Sequence, residues 1–349
     1  MGRIRRPMDS KRKLMGRIRH PMDFVFKFRQ IGHFKHLLNL YAPSFFPYFC
    51  TRKPPSAGES NVSPYRKGRP ATDIIATRRM TMNKCLPLLI MSLLLLCSCD
   101  SLFSYHPYDA RFSGQTDINA ANISRIEALC RGKDTLRFAF IGDTHEWYSD
   151  TKDMMAALNA NDSIDFVVHG GDLTDVGTTK EFVWARDILG GLRKPYVALI
   201  GNHDFLGTGN EVYGKMYGAV DFSFIAARIK FVCLNTNATE YDYMAAVPNF
   251  DFMEEQLTAD SAAFDRTIVC MHARPYSDQF NNNVVKAFEH YVSLFPGLLF
   301  CLNAHDHHLQ ADDLYGDGIM YYGCASVEKR NYLLFTITPT GYTYEVVYF

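Results

Sequence analysis

Near the C-terminus the sequence reads Leu302-Asn303-Ala304-His305-Asp306-His307-His308, three imidazoles within four positions at the end of an apolar run. Four other apolar runs also stop at residues able to hold a metal ion: Asp143 and His145; Asp172; Asn202 and His203; and His272. Carboxylate, imidazole and amide-oxygen donors together suit manganese, iron, zinc or similar divalent ions. Eight donors are too many for one tetrahedral ion and fit a pair. Two divalent ions clamp and acidify an oxygen nucleophile and neutralise charge on a phosphoryl group, which makes ester hydrolysis the natural chemistry. Taken singly, Asp-x-His or Gly-Gly-Asp is an ordinary turn; the ordered set is the signal.

The elements that must position these residues alternate. Strand-like runs are expected over 136–145, 164–172 and 195–204, with amphipathic helices over 149–161 and 178–192 between them. Two adjacent strands over 222–237, a helix near 250–259, a strand over 266–275, a helix over 283–295 and a strand over 297–308 follow. The tail, 309–349, alternates Tyr, Val, Ile and Thr with Gly-Asp and Thr-Gly turns, as antiparallel strands do. This is the pattern of an α/β layered fold. Donors at five strand ends then gather beyond the carboxyl edge of a sheet. In an extended backbone, positions i and i+2 share a side, so His305 and His307 are expected to act together and His308 to face away. The segments 205–222 and 237–250 are expected to wall the pocket.

In order, the donors run Gly-Asp-x-His, 26 residues, Gly-Gly-Asp, 29 residues, Gly-Asn-His-Asp, 68 residues, His, 32 residues, His-x-His. This ordered set over 136–308 resembles the calcineurin-like metallophosphoesterases, whose blocks read D-x-H, G-D, G-N-H-[DE], H and G-H-x-H. The one departure is Ala304 in place of the last block's glycine. The resemblance implies a four-layer α/β/β/α sandwich of two mixed sheets flanked by helices, with the strand-rich tail in the second sheet. It implies that Asp143, His145 and His307 hold one divalent ion, that Asp172 bridges, and that Asn202, His272 and His305 hold a second. His203 then faces the substrate as general acid, with Asp204 orienting its ring. The implied activity is hydrolysis of a small phosphomonoester or phosphodiester by attack of a metal-bridging hydroxide. The alternative is a catalytically silent member of the same fold that serves as a binding module. Around this set, His169 is either a packed strand histidine or a partner of the ligands, Glu146, Trp147 and Tyr148 lie on a loop over the cleft and either touch the substrate or cover the sheet edge, and Arg274 either steadies phosphate or forms a salt bridge.

The chain has 349 residues and a formal net charge of zero that hides two halves. Residues 1–79 hold 18 Lys/Arg against 4 Asp/Glu, while residues 100–349 hold 18 against 33. The acidic half argues against nucleic-acid binding by the folded domain. Between the halves, Met82–Ser101 has a lysine, an apolar centre and small residues, the layout of a secretory signal. Its end, Leu96-Cys97-Ser98-Cys99, resembles the lipobox of bacterial lipoproteins, which makes Cys99 the lipid anchor and places the protein in the cell envelope, facing the periplasm or cell surface. Four segments are therefore expected: 1–79, a basic extension that is either disordered or ahead of the true start; 80–99, the signal; 100–135, a lead-in with one short helix; and 136–349, the metallophosphoesterase domain. Nothing in the sequence sets the oligomeric state, and the nine cysteines show no disulfide spacing.

Overall fold

A computed structural model describes residue 106, residues 108–241 and residues 246–349. The basic extension, the signal with Cys99 and the start of the lead-in lie outside the described residues. The chain forms α1 (Ile118–Cys130), β1 (Leu136–Ile141), α2 (Tyr148–Ala160), β2 (Phe166–His169), α3 (Thr179–Leu189), β3 (Tyr196–Ala198) and α4 (Gly209–Met216). The second half adds β4 (Phe222–Ala226), β5 (Ile229–Leu234), a helical turn α5 (Ala238–Tyr241), α6 (Phe250–Thr258), β6 (Arg266–Met271), α7 (Val285–Ser293) and β7 (Leu298–Asn303). The tail supplies β8 (Gln310–Asp313), β9 (Met320–Gly323), β10 (Asn331–Thr338) and β11 (Gly341–Tyr348).

Two mixed sheets result. One runs β11-β10-β1-β2-β3 and the other β4-β5-β6-β7-β9-β8. In the first, β1, β2 and β3 are parallel and β10 and β11 antiparallel. In the second, β5, β6, β7 and β9 are parallel, with β4 and β8 antiparallel at the edges.

Strand periodicity explains why the sheets stack. In β1, Phe138 and Phe140 point into a core between the sheets, while Ala139 and Ile141 point toward α2 and α3. In β5 and β6, Phe231, Cys233, Ile268 and Cys270 face the same central core, and Val232, Leu234, Val269 and Met271 face α6 and α7. With both faces of both sheets apolar, each sheet needs two coverings, and helix–sheet–sheet–helix is the arrangement that provides them. Aromatic rings fill the centre: Phe138 lies 5.4 Å from Phe166, 5.2 Å from Phe231 and 5.3 Å from Phe335, centroid to centroid.

One feature departs from the sequence expectation. The tail does not stay in the second sheet: β8 and β9 join it, but β10 and β11 cross back to pair beside β1 in the first. Alternating apolar residues fit either sheet, so pattern alone could not choose. The lead-in helix α1 is part of the packed unit. The amide of buried Asn119 donates to Ala198 O and accepts from Ala198 N, both at 2.9 Å, and so pairs the edge strand β3 as a further strand would.

Candidate metal centre

The strands end earlier than their apolar runs suggested, and the reason is local. Asp143, Asp172, His305 and His307 have φ of 50°, 58°, 71° and 57°, a left-handed backbone that a strand cannot contain. Each such residue is strained by about 1–2 kcal/mol, and strain of this kind concentrates at functional sites. The loops are interlocked to hold it. Asp143 N donates to Gly171 O at 3.0 Å, and Thr144 N and His145 N donate to Asp172 O at 3.0 and 3.2 Å. His305 N donates to the Asp143 carboxylate at 3.1 Å, joining the end of β7 in one sheet to the end of β1 in the other. The five strand ends thus come from two sheets, not from one edge.

Ala304 fits this junction. Its methyl is fully buried against two glycines: a Cβ on Gly142 would come within 2.7 Å of the Ala304 Cβ, and one on Gly170 within 3.0 Å. Gly201 is needed for closeness too, since a Cβ there would lie 2.1 Å from Asp172 Oδ1.

Two donor sets form, and they share one residue. Asp143, His145, Asp172 and His307 bring donor atoms within 4.8 Å of one another, as do Asp172, His272 and His305. Asn202 belongs to the second set, its Oδ1 lying 3.0 Å from both His272 Nε2 and His305 Nδ1. His305 and His307 therefore serve different sets. They do so through two left-handed residues, however, not through the extended alternation expected of them. His308 lies outside both sets, exposed, with Nδ1 against Asp306 O at 2.7 Å.

The imidazole partners indicate which nitrogens are free. His272 Nδ1 donates to Gly170 O at 2.9 Å, and His305 Nε2 meets Asp278 Oδ1 at 2.8 Å. Those acceptors take one proton from each ring, so His272 Nε2 and His305 Nδ1, both beside the oxygen of Asn202, are the nitrogens whose lone pairs a metal would meet once any second proton is displaced. In the other set, His145 Nε2 and His307 Nε2 face each other at 3.5 Å, with Asp143 Oδ1 3.6 Å from the latter. A proton can satisfy one of these contacts; a cation among them satisfies all. The residues present fit a divalent-metal site.

Electrostatics agree. Burial lifts the Asp143 carboxyl to about 8. Burial also works against the ionised form of Asp172, yet His272, His203 and His145 hold its pKa below the usual carboxylate range. His272 is opposed by burial but carried up to about 9 by Asp172, so without an ion it keeps a proton that a metal would displace. Opposed shifts packed together in one cleft mark a functional site.

His203 stacks on His145 with ring centroids 4.5 Å apart, and its backbone N donates to Asp172 Oδ1 at 2.9 Å. The orienting role expected of Asp204 is not what the structure has. His203 Nδ1 donates to the backbone carbonyl of Asp175 at 2.7 Å. Asp204, fully buried, instead accepts from Leu173 N, Thr174 N, Thr174 Oγ1 and Gly201 N. It braces the loops that carry Asp172 and Asn202. His169 is a packed strand histidine, with Nε2 2.9 Å from Thr144 Oγ1 and a pKa pushed by burial to about 3. Arg274 forms the salt bridge, 2.7 Å to Asp306. Of the segments expected to wall the pocket, 209–216 is a helix whose Val212, Tyr213 and Met216 are buried in the core.

Sequence reasoning passed over Asp175 and Asp278. Asp175 holds His203 through its carbonyl, and its carboxylate lies 3.7 Å from His145 Nδ1. Asp278 is an exposed loop aspartate whose only signal is that it follows His272 by six residues.

Residues 136–309 match the calcineurin-like phosphoesterase family, and this stretch of the chain is a calcineurin-like phosphoesterase domain. No curated protein matches the chain. Among solved structures, GAP50, the anchor in the inner membrane complex of Plasmodium, is 14% identical and covers 62% of this chain and 85% of its own, with a TM-score of 0.49. A phosphatase from Mycoplasma pneumoniae is 14% identical, over 62% of this chain and 93% of its own, at a TM-score of 0.42. The calcineurin-like phosphoesterase YfkN from Bacillus subtilis is 12% identical, over 61% and 90%, at 0.38.

Proposed function

We propose that the chain hydrolyses a phosphomonoester or phosphodiester, using two divalent ions held by Asp143, His145, Asp172 and His307 on one side and by Asp172, Asn202, His272 and His305 on the other. The observation that carries this reading is the pair of donor sets sharing Asp172. Bound divalent ions would acidify a water molecule and neutralise charge on the phosphoryl oxygens. The chain's own contribution is orientation and proton transfer. Asp278 and Gly170 O fix which nitrogen His305 and His272 present. Asp175 O holds the Nδ1 proton of His203, so the acid is the ring with a second proton on Nε2, which passes to the departing alkoxide and leaves a neutral imidazole still protonated on Nδ1. The seating of its backbone on Asp172 ties the position of that ring to the metal site.

The test uses the purified chain, stripped by chelation and reloaded with manganese. We expect about two ions per chain and turnover of a generic aryl phosphate or aryl phosphodiester that chelation abolishes. Absence of both bound metal and turnover would sink the reading and leave a silent binding fold. We further propose that the protein is exported and anchored through Cys99, supported by the signal-like sequence Met82–Ser101. Cys99→Ser should then move the chain out of the membrane fraction, and unchanged fractionation would count against lipidation.

A further inference from the structure

A groove of about 720 Å³ lies between α2 and α3, outside the metal centre. Tyr148, Met155, Ala156, Trp184 and Ile188 give it mostly apolar walls, which Lys152 and Asp187 also line. Its position follows from the chain path. Helix α2 begins three residues after His145, and α3 begins seven residues after Asp172, so both helices start at the catalytic edge and run away from it. The groove follows α2 for most of its length, on the order of 15–20 Å at 1.5 Å per residue, and the second half of α3. At the far end Asn159 Nδ2 donates to Gly191 O at 2.9 Å, tying the two helices together there.

Tyr148 stands at the near end. Its hydroxyl lies beside the Asp175 carboxylate, which neighbours His145 and His203, while its ring lines the groove edge-on to Trp184 at 5.7 Å. Trp147 and Val176, both exposed, sit on the two loops that join the site to these helices, and exposed Tyr276 and Leu309 flank the site from the other sheet. Each of these four side chains is within four residues of a residue of the metal centre. Exposed apolar surface gathered at one edge marks a binding surface, and a polar substrate would gain nothing from it.

We propose that the phosphoester substrate carries an elongated apolar group that lies along this groove while its phosphate occupies the metal centre. The inference rests on the hydrolytic reading above and adds to it the class of ester: an amphiphilic alkyl phosphoester in place of a small polar one. The groove discriminates by length, because each further methylene it covers leaves water, while the phosphate contacts stay the same.

The test is a chain-length series on the metal-loaded full chain: 4-nitrophenyl alkyl phosphodiesters from methyl to decyl, kept below micelle formation. kcat/KM should climb by about 2–4-fold per methylene until the groove is filled. In parallel, binding of n-alkyl phosphates is followed by intrinsic fluorescence, since of the chain's two tryptophans Trp184 lines the groove and Trp147, exposed, directly precedes Tyr148. Affinity should rise with the same slope. Trp184→Ala should flatten both slopes and Trp184→Phe should keep most of them. A flat binding series overturns the inference whatever the turnover, and so does a Trp184→Ala slope equal to that of the natural chain. Loss of turnover on every ester, with length-dependent binding retained, would instead strike the hydrolytic reading alone.

Discussion

Asp172→Asn should lower kcat/KM on an aryl phosphate by at least about 10³-fold and reduce bound metal from two ions to at most one. The size follows from the residue's position. Among the described residues Asp172 is the only one common to both donor sets, and it is almost completely buried. Its charge faces three imidazoles, those of His145, His203 and His272. An amide of the same shape removes that charge without emptying the space, so the loss reads electrostatics and not packing. Removing one preorganised polar contact from a catalytic site typically costs about 10²–10³-fold; here one change would strike both of the proposed ions. Asp143→Asn is the control, since Asp143 belongs to one set only and should leave the second ion bound. Metal content by elemental analysis, turnover, and circular dichroism to confirm folding together decide the matter. Two ions retained, with turnover within tenfold of the natural chain, would refute the shared role.

The strand ends were legible because two rules met at each. A buried strand reads as a short apolar run, and a residue able to hold a metal at its end is conspicuous against that run. Asp143, Asp172, His272 and His305 stand out in this way, and the structure does bring their donor atoms together. What escaped notice has no local signature. Asp278 sits in an ordinary polar loop and matters only because tertiary folding sets it 2.8 Å from His305 Nε2. Asp175 acts through a carbonyl, which every residue has. The left-handed turns at His305 and His307 were invisible for a different reason: histidine does not announce a positive φ as glycine does. The return of β10 and β11 to the first sheet is a choice between two apolar surfaces with the same period, and alternation cannot make it.

Asp204→Ala should destabilise the domain by about 3–5 kcal/mol, as removal of one partner from a buried charged network does. Four donors lose their acceptor: Leu173 N, Thr174 N, Thr174 Oγ1 and Gly201 N, each at 2.8–3.0 Å in the intact protein. Counted separately at about 1–3 kcal/mol per buried unpaired group, they would sum to more. The sum is not reached, because Asp204 is itself costly to bury, as its pKa raised to about 7 by desolvation shows, and its removal recovers part of that cost. For a domain of this size the loss corresponds to a fall in melting temperature of about 6–20 °C. The activity of the fraction still folded separates bracing from orienting. If Asp204 aligned the His203 ring, Asp204→Asn would cost turnover at nearly unchanged stability. With His203 held by the carbonyl of Asp175, Asp204→Asn should instead lower the melting temperature and leave kcat of the folded protein within about tenfold, the lower end of what loss of an orienting partner costs. No side-chain substitution removes a backbone carbonyl, so the ring keeps its proton on Nδ1 in either variant.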